Sequence, residues 1–169
     1  IPHFVRVFLT LILGIPETKI RVIAPEVGGG FGSKLEVYAE EFVAVALARK
    51  LGQPIKWNEY RTEGYLSTVQ GRGVIQDMEV AATEEGKLLG VRAKLQADMG
   101  AYASLVGPGI PILGAFHYHG VYDCDAYSFT CTSVFTNQTP TDAYRGAGRP
   151  EATYATERIM DALGRRVGK

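Results

Sequence analysis

Cysteine is scarce: Cys124 and Cys131 are the only two in 169 residues. An iron–sulfur cluster takes about four thiolates, so this chain's own thiols hold none. The pair stands seven apart with no second pair nearby, which argues against a zinc site. Both read as buried thiols in a reducing compartment, and the expected location is the cytoplasm or the periphery of the inner membrane. Net charge is also missing, since 18 Lys and Arg balance 18 Asp and Glu. No long-range field recruits nucleic acid or an anionic membrane. Long apolar runs are absent. "VFLTLILGI" near the N-terminus falls far short of the ~20 residues of a membrane span, and it lacks the flanks of a signal peptide. There are no internal repeats and no low-complexity tracts. The sequence opens on Ile1 rather than Met, already inside an amphipathic pattern. A piece of a longer polypeptide is therefore expected.

What is present reads as α+β, with mixed sheets and packed helices. Residues 4–13 place apolar groups at helical spacing, with Gly14 as the stop. "KIRVIAP" (19–25) is short and β-branched, which predicts a strand. Residues 36–51 repeat Val37, Phe42, Val45 and Leu51 at about 3.6 residues per turn and end at Gly52, so a helix is expected. "PIKWNEY" (54–60) predicts a second strand. "VIQDMEVAAT" and "LLGVRAKLQADMGAY" flank the turn signal "EEGK" and predict a hairpin. Residues 105–120 carry too much Gly and Pro for a regular helix. "AYSFTCTSVFTN" alternates as a half-buried strand does. Residues 151–163 predict an amphipathic helix with Pro150 in its first turn. A subdivision is expected near 65–70, giving a β-loop-α-β part (1–66) and a second part (67–169).

Two loops stand out. "PEVGGGFGSKLE" (25–36) sets glycines around one Phe, between a predicted strand and a predicted helix. Glycine has no Cβ, so such a loop brings peptide N–H groups close to a ligand. At a helix start the dipole adds to the attraction for an anion. The spacing is neither that of a P-loop nor a clean GxGxxG, so a plain tight turn competes with a ligand cradle. "DAYRGAGRPEA" (142–152) again leads through glycines into a helix, with Arg145 and Arg149 at its flanks. Positive charge there opposes the helix dipole, and an anionic ligand would favour it.

"RVIAPEVGGGFGSK" and "TPTDAYRGAGRPEATYATER" closely resemble the molybdenum-binding large subunits of the xanthine dehydrogenase and aldehyde oxidase family. The nearest branch resembles the aerobic carbon monoxide dehydrogenase large chains. The resemblance runs over essentially the whole sequence, including "GKLLGVRAKLQADMGAY". It implies a partial molybdopterin-binding domain, with the cofactor in its cytosine dinucleotide form. It implies oxidation of an aldehyde, a heteroaromatic ring or a similar small substrate with water as oxygen source. Electrons would leave through an iron–sulfur small subunit and an FAD medium subunit, in a hetero-oligomer. By the resemblance, Gly29, Gly30, Phe31 and Gly32 present backbone beside the molybdenum ligands. Ala143, Tyr144, Arg145 and Gly146 do so on the metal's other flank. Molybdenum would be held through the pterin, with no direct protein ligand.

Departures narrow the expectation. The copper-containing, CO-oxidising branch carries Cys after the loop Arg, whereas Gly146 stands here. No thiolate for copper is available, which argues against CO. Leu35 replaces the Glu of xanthine-type enzymes and Ala147 their ring-stacking Phe, which argues against a purine. The family's general-base Glu has no counterpart within these residues and is expected beyond Lys169. Its oxo-bonding Gln would fall just before Ile1. The rival readings are a non-catalytic phosphate- or nucleotide-binding α/β module and a structural interface domain. His117 and His119 lack a third ligand and read as partly buried or pocket-wall groups. Glu40 and Glu41 read as a solvated helix face. Asp142 reads as a loop brace and Trp57 as core or interface.

Overall fold

The strongest pattern lies in residues 88–100, where every second side chain from Val91 to Met99 is buried and the long polar residues between them face out. A period of two is what a pleated strand with one covered face requires. The computed structural model describes all residues, Ile1–Lys169, and divides them into two units, Ile1–Thr68 and Val69–Lys169.

The second unit is a mixed three-stranded sheet in the order β1 (Val74–Ala82), β2 (Leu88–Gly100), β3 (Ala126–Phe135). β1 and β2 form the expected antiparallel hairpin, with Val80 opposite Val91 and Ile75 opposite Gln96. β3 runs parallel to β2, so the chain must cross over between them. The crossover carries a six-residue helix, α4 (Gly109–Gly114), where the Gly and Pro content predicted no helix. At six residues α4 is too short for propensity to decide its fate; buried Pro111 and Gly114 hold it by packing. The last helix, α5 (Arg149–Arg166), has Pro150 in its first turn as expected and lies against β1. The core joins Ala93 and Leu95 of β2, Tyr118 of the crossover, and Ala152 and Ala155 of α5. Small residues on both sides allow the helix to lie close on the sheet. Thr156 Oγ1 donates to the Tyr118 carbonyl (2.8 Å) inside that core. Gln76 Nε2 donates to the Tyr118 hydroxyl (2.8 Å), and burial first, with the Glu151 charge second, pushes that hydroxyl's pKa well above its ordinary value.

The first unit is helical. α1 (Pro2–Leu13) ends at Gly14, which is left-handed (φ 62°) as its stop signal predicts. α2 (Ala39–Leu51) ends likewise at Gly52 (φ 66°). It begins three residues later than the periodicity suggests. Tyr38 is extended, and its N–H donates to Glu41 Oε2 (3.0 Å), which marks the true start. Glu41 is thus a cap rather than a solvated group, and Glu40 beside it is half-buried. A third helix, α3 (Arg61–Ser67), was not anticipated. Its signal was Glu63, whose Oε2 accepts from Tyr60 N (2.7 Å) in the same manner.

Neither predicted strand of this unit forms. Residues 20–25 and 54–60 have no regular structure. Ile20 has β dihedrals (φ −110°, ψ 128°), but a strand is defined by a paired neighbour and none adjoins it. The β-loop-α-β expectation for 1–66 fails with them. Trp57 is 47% exposed and belongs to no core. Cys124 and Cys131 are half-buried rather than buried, and both are free thiols. No group of three or more His, Cys, Asp or Glu could hold a metal ion. No helix is long and apolar enough to cross a membrane.

Candidate cofactor-binding loops

Residues 28–32 follow an irregular segment and precede a single 3-10 turn, Ser33–Leu35. α2 starts only at Ala39, so no helix dipole stands at these glycines and that part of the expectation is withdrawn. Two short bonds close the turn instead: Leu35 N to Gly32 O (2.7 Å) and Lys34 N to Gly30 O (3.3 Å). Tyr38 Oη donates to Ser33 O (2.6 Å) and ties the turn to the start of α2.

The glycines of this loop are not equivalent. Gly29 (φ 114°) and Gly32 (φ 103°) adopt dihedrals that L residues rarely reach. A Cβ on Gly29 would also lie 2.5 Å from the Phe31 ring. Gly28 and Gly30 have ordinary φ, and a Cβ there would meet nothing within 4 Å. Conformation and packing explain the first two glycines. They do not explain Gly28 and Gly30, whose missing side chains leave open space beside the backbone. Between Gly30 and Gly32, Phe31, a bulky residue, sits at φ 52° and is 54% exposed. Such a conformation costs about 1–2 kcal/mol.

The second loop is held from below. Asp142 is buried, and its Oδ2 accepts from Val106 N and Gly107 N (3.0 Å each) while its Oδ1 accepts from Ala143 N. It is the brace the sequence suggested. Ala143 is buried; Tyr144, Arg145 and Gly146 are exposed. Ala147 N donates to Tyr144 O (2.7 Å) and Arg149 N to Gly146 O (3.3 Å), so two overlapping turns carry the chain into α5. Gly146 (φ 99°) and Gly148 (φ 82°) are left-handed, and so is Ala147 (φ 40°), a non-glycine. A Cβ on Gly148 would lie 2.5 Å from the Ile110 carbonyl and 2.9 Å from Gly114 N. The loop is therefore pressed on α4.

Arg149 has a partner inside the chain, so its presence does not demand an anion. Arg149 Nη1 reaches Gly146 O (3.4 Å). Glu151, in the first turn of α5, supplies the negative charge that suits a helix start. The structure thus gathers Gly29, Gly30, Phe31 and Gly32 on one turn, and Ala143, Tyr144, Arg145 and Gly146 on another. His117 and His119 are half-buried beside Tyr118, and His119 packs on the Tyr127 ring at 5.6 Å.

Over its full length, residues 1–169, the sequence matches the molybdopterin cofactor-binding domain family. The chain belongs to this family. It is 38% identical to the carbon monoxide dehydrogenase large chain of Hydrogenophaga pseudoflava, over 98% of this chain and 21% of that protein. It is 39% identical to the 6-hydroxypseudooxynicotine dehydrogenase complex subunit gamma of Paenarthrobacter nicotinovorans, with the same coverage of each chain. The crystal structure of quinoline 2-oxidoreductase from Pseudomonas putida 86 superposes with a TM-score of 0.91 at 33% identity, over 99% of this chain and 22% of that one. The chain spans about one fifth of the length of these relatives. Membership sets aside the reading as a phosphate-binding module outside this family, and the fold is that of a molybdopterin-binding domain fragment.

Proposed function

We propose that the chain holds a molybdopterin cofactor, in its cytosine dinucleotide form, for the large subunit of a molybdenum hydroxylase. The observation that carries this reading is where the backbone is strained. The three non-glycine residues with positive φ are Phe31, Arg72 and Ala147. Two lie in the candidate loops and the third bonds to one of them. Strain of this kind persists where the surroundings enforce it, and it concentrates at ligand sites. The residues present fit such a group. The open flank of Gly28 and Gly30 allows peptide N–H groups a close approach. Fixed peptide dipoles aimed at a charged group need no reorganisation when its charge changes. When bound, the cofactor supplies the redox chemistry; the chain's part is binding and orientation.

The substrate class that fits best is a heteroaromatic ring or an aldehyde, oxidised with water as oxygen source. Gly146 offers no thiol for copper, and two of the relatives above are named for oxidising quinoline and a nicotine-type compound. Electrons would pass to an iron–sulfur subunit and an FAD subunit, since two cysteines cannot hold a cluster here. The general base and the oxo-bonding Gln would lie in other parts of the large subunit.

The test is composition. The full-length protein, purified from a host that makes the cofactor, is expected to contain stoichiometric molybdenum and a pterin cytosine dinucleotide. Metal-free and pterin-free protein from such a host would overturn the proposal.

A further inference from the structure

The third strained residue lies outside both loops, in "QGRG" (70–73), a stretch with no role in the reading above. This stretch runs beside the second loop. Gln70 pairs with Thr141 in a parallel bridge, with Gln70 N on Pro140 O (2.9 Å) and Asp142 N on Gln70 O (2.8 Å). Glycines on both sides of Arg72 permit the approach. A Cβ on Gly71 would lie 2.6 Å from Tyr144 Cβ, and one on Gly73 would lie 3.2 Å from Asp98 Cβ. Arg72 itself is left-handed, at φ 71°.

Its guanidinium makes three contacts at once. Nη1 meets Glu151 Oε1 at 3.0 Å, and Nη2 donates to the Arg145 carbonyl at 2.6 Å. The guanidinium carbon stands over the Tyr144 ring, 4.7 Å from its centre. The Glu151 side chain is 9% exposed and its second oxygen is buried without a partner. Arg72 is therefore the cation that a largely desolvated carboxylate faces. Only a planar fork reaches carboxylate, carbonyl and ring face together; a lysine ammonium does not.

We propose that Arg72 is a positioning residue for the cofactor loop. Anchored on Glu151, it draws the Arg145 carbonyl inward. A trans peptide is planar, with its C=O and N–H pointing opposite ways. Capturing the carbonyl of Arg145 therefore turns the Gly146 N–H away from the clamp, as a donor for a ligand. Stacking on Tyr144 fixes the neighbouring residue in the same stroke. The inference rests on the reading of residues 143–146 as a cofactor loop.

The experiment uses the full-length holoenzyme with Arg72→Lys and Arg72→Gly. Lysine keeps the charge and loses the fork. Glycine accepts φ 71° without strain, so its backbone loses nothing. Molybdenum per chain, the Mo(V) EPR signal and the melting temperature are measured for each. Both variants are expected to lose about tenfold to a hundredfold in metal retention or turnover, as outer-shell changes at metal sites do. The remaining Mo(V) signal should be shifted in both; the melting temperature should hold in Arg72→Lys, which keeps a cation facing Glu151, and fall in Arg72→Gly, which leaves that carboxylate unpaired. Wild-type molybdenum content and an unshifted signal in both variants would overturn the clamp while leaving the cofactor reading intact. In Arg72→Lys, a loss of metal that tracks an equal loss of melting temperature would also overturn it, because Arg72 would then be structural. Wild-type protein free of molybdenum would remove the clamp and the reading together.

Discussion

Adjacent glycines in one loop can serve opposite purposes, and substitution separates them. Gly29 is strained for any other residue and is crowded by the Phe31 ring; Gly30 is neither strained nor crowded. From the sequence alone both look like turn glycines, and a side chain at Gly30 would be expected to strain the turn as well as block a ligand. The ordinary φ and open surroundings of Gly30 remove the strain half of that expectation. Gly29→Ala should destabilise by about 1–3 kcal/mol, because the left-handed backbone and the ring contact both resist a methyl. Gly30→Ala should leave stability within about 0.5 kcal/mol. In full-length protein, however, it should lower the bound molybdenum, since the methyl enters the space a cofactor would approach. Denaturant titration and metal analysis of the two variants check this. Equal molybdenum content in Gly30→Ala and wild type would remove Gly30 from the site.

At the scale of elements, local signals were legible and pairing was not. Helix ends were readable because Gly14 and Gly52 stop α1 and α2 by their own left-handed backbones. The β1–β2 hairpin was readable because its turn and its alternation are contiguous in sequence. The strands at 19–25 and 54–60 were misjudged for the converse reason: β-branched composition says only that a segment suits a sheet, and the sheet must come from elsewhere. The loops were visible through their glycines. The Arg72–Glu151 clamp was not, because its partners are 79 residues apart and nothing local marks them. The sheet–helix contact in the second unit offers a direct test. Ala152 and Ala93 are fully buried on facing elements, so the spacing between α5 and the sheet is set by methyl groups. Ala152→Leu should overpack this contact and cost about 1–3 kcal/mol. Because α5 begins at the second loop, the variant should also lose cofactor. A chemical-denaturation midpoint equal to that of wild type would mean that the helix is not seated as described.

For the molecule as a whole, the two units differ in how much each buries. The second has a core with alternating burial along β2, closed by α5. The first buries few apolar side chains, Val5 and Leu9 among them, and α2 buries none. Val43, Leu47 and Leu51 of α2 all remain more than 40% exposed. Burial contributes roughly 25 cal/mol per Å² of apolar surface, and ordering each residue costs about 1–2 kcal/mol of backbone entropy. A unit that leaves its main helix uncovered therefore stands at the low end of local stability. Amide hydrogen exchange on the 169-residue polypeptide should show this directly. Amides of β2 are expected to be protected by the global stability of the second unit, whereas those of α2 and of residues 28–35 should exchange near open-chain rates. If the chain is one part of a large subunit, as proposed, the same α2 amides should become protected in the full-length protein, because further chain then covers Val43, Leu47 and Leu51. Protection of α2 equal to that of β2 in the 169-residue polypeptide would show that these exposed faces need no cover, and would detach the order of the glycine loop from assembly of the larger enzyme.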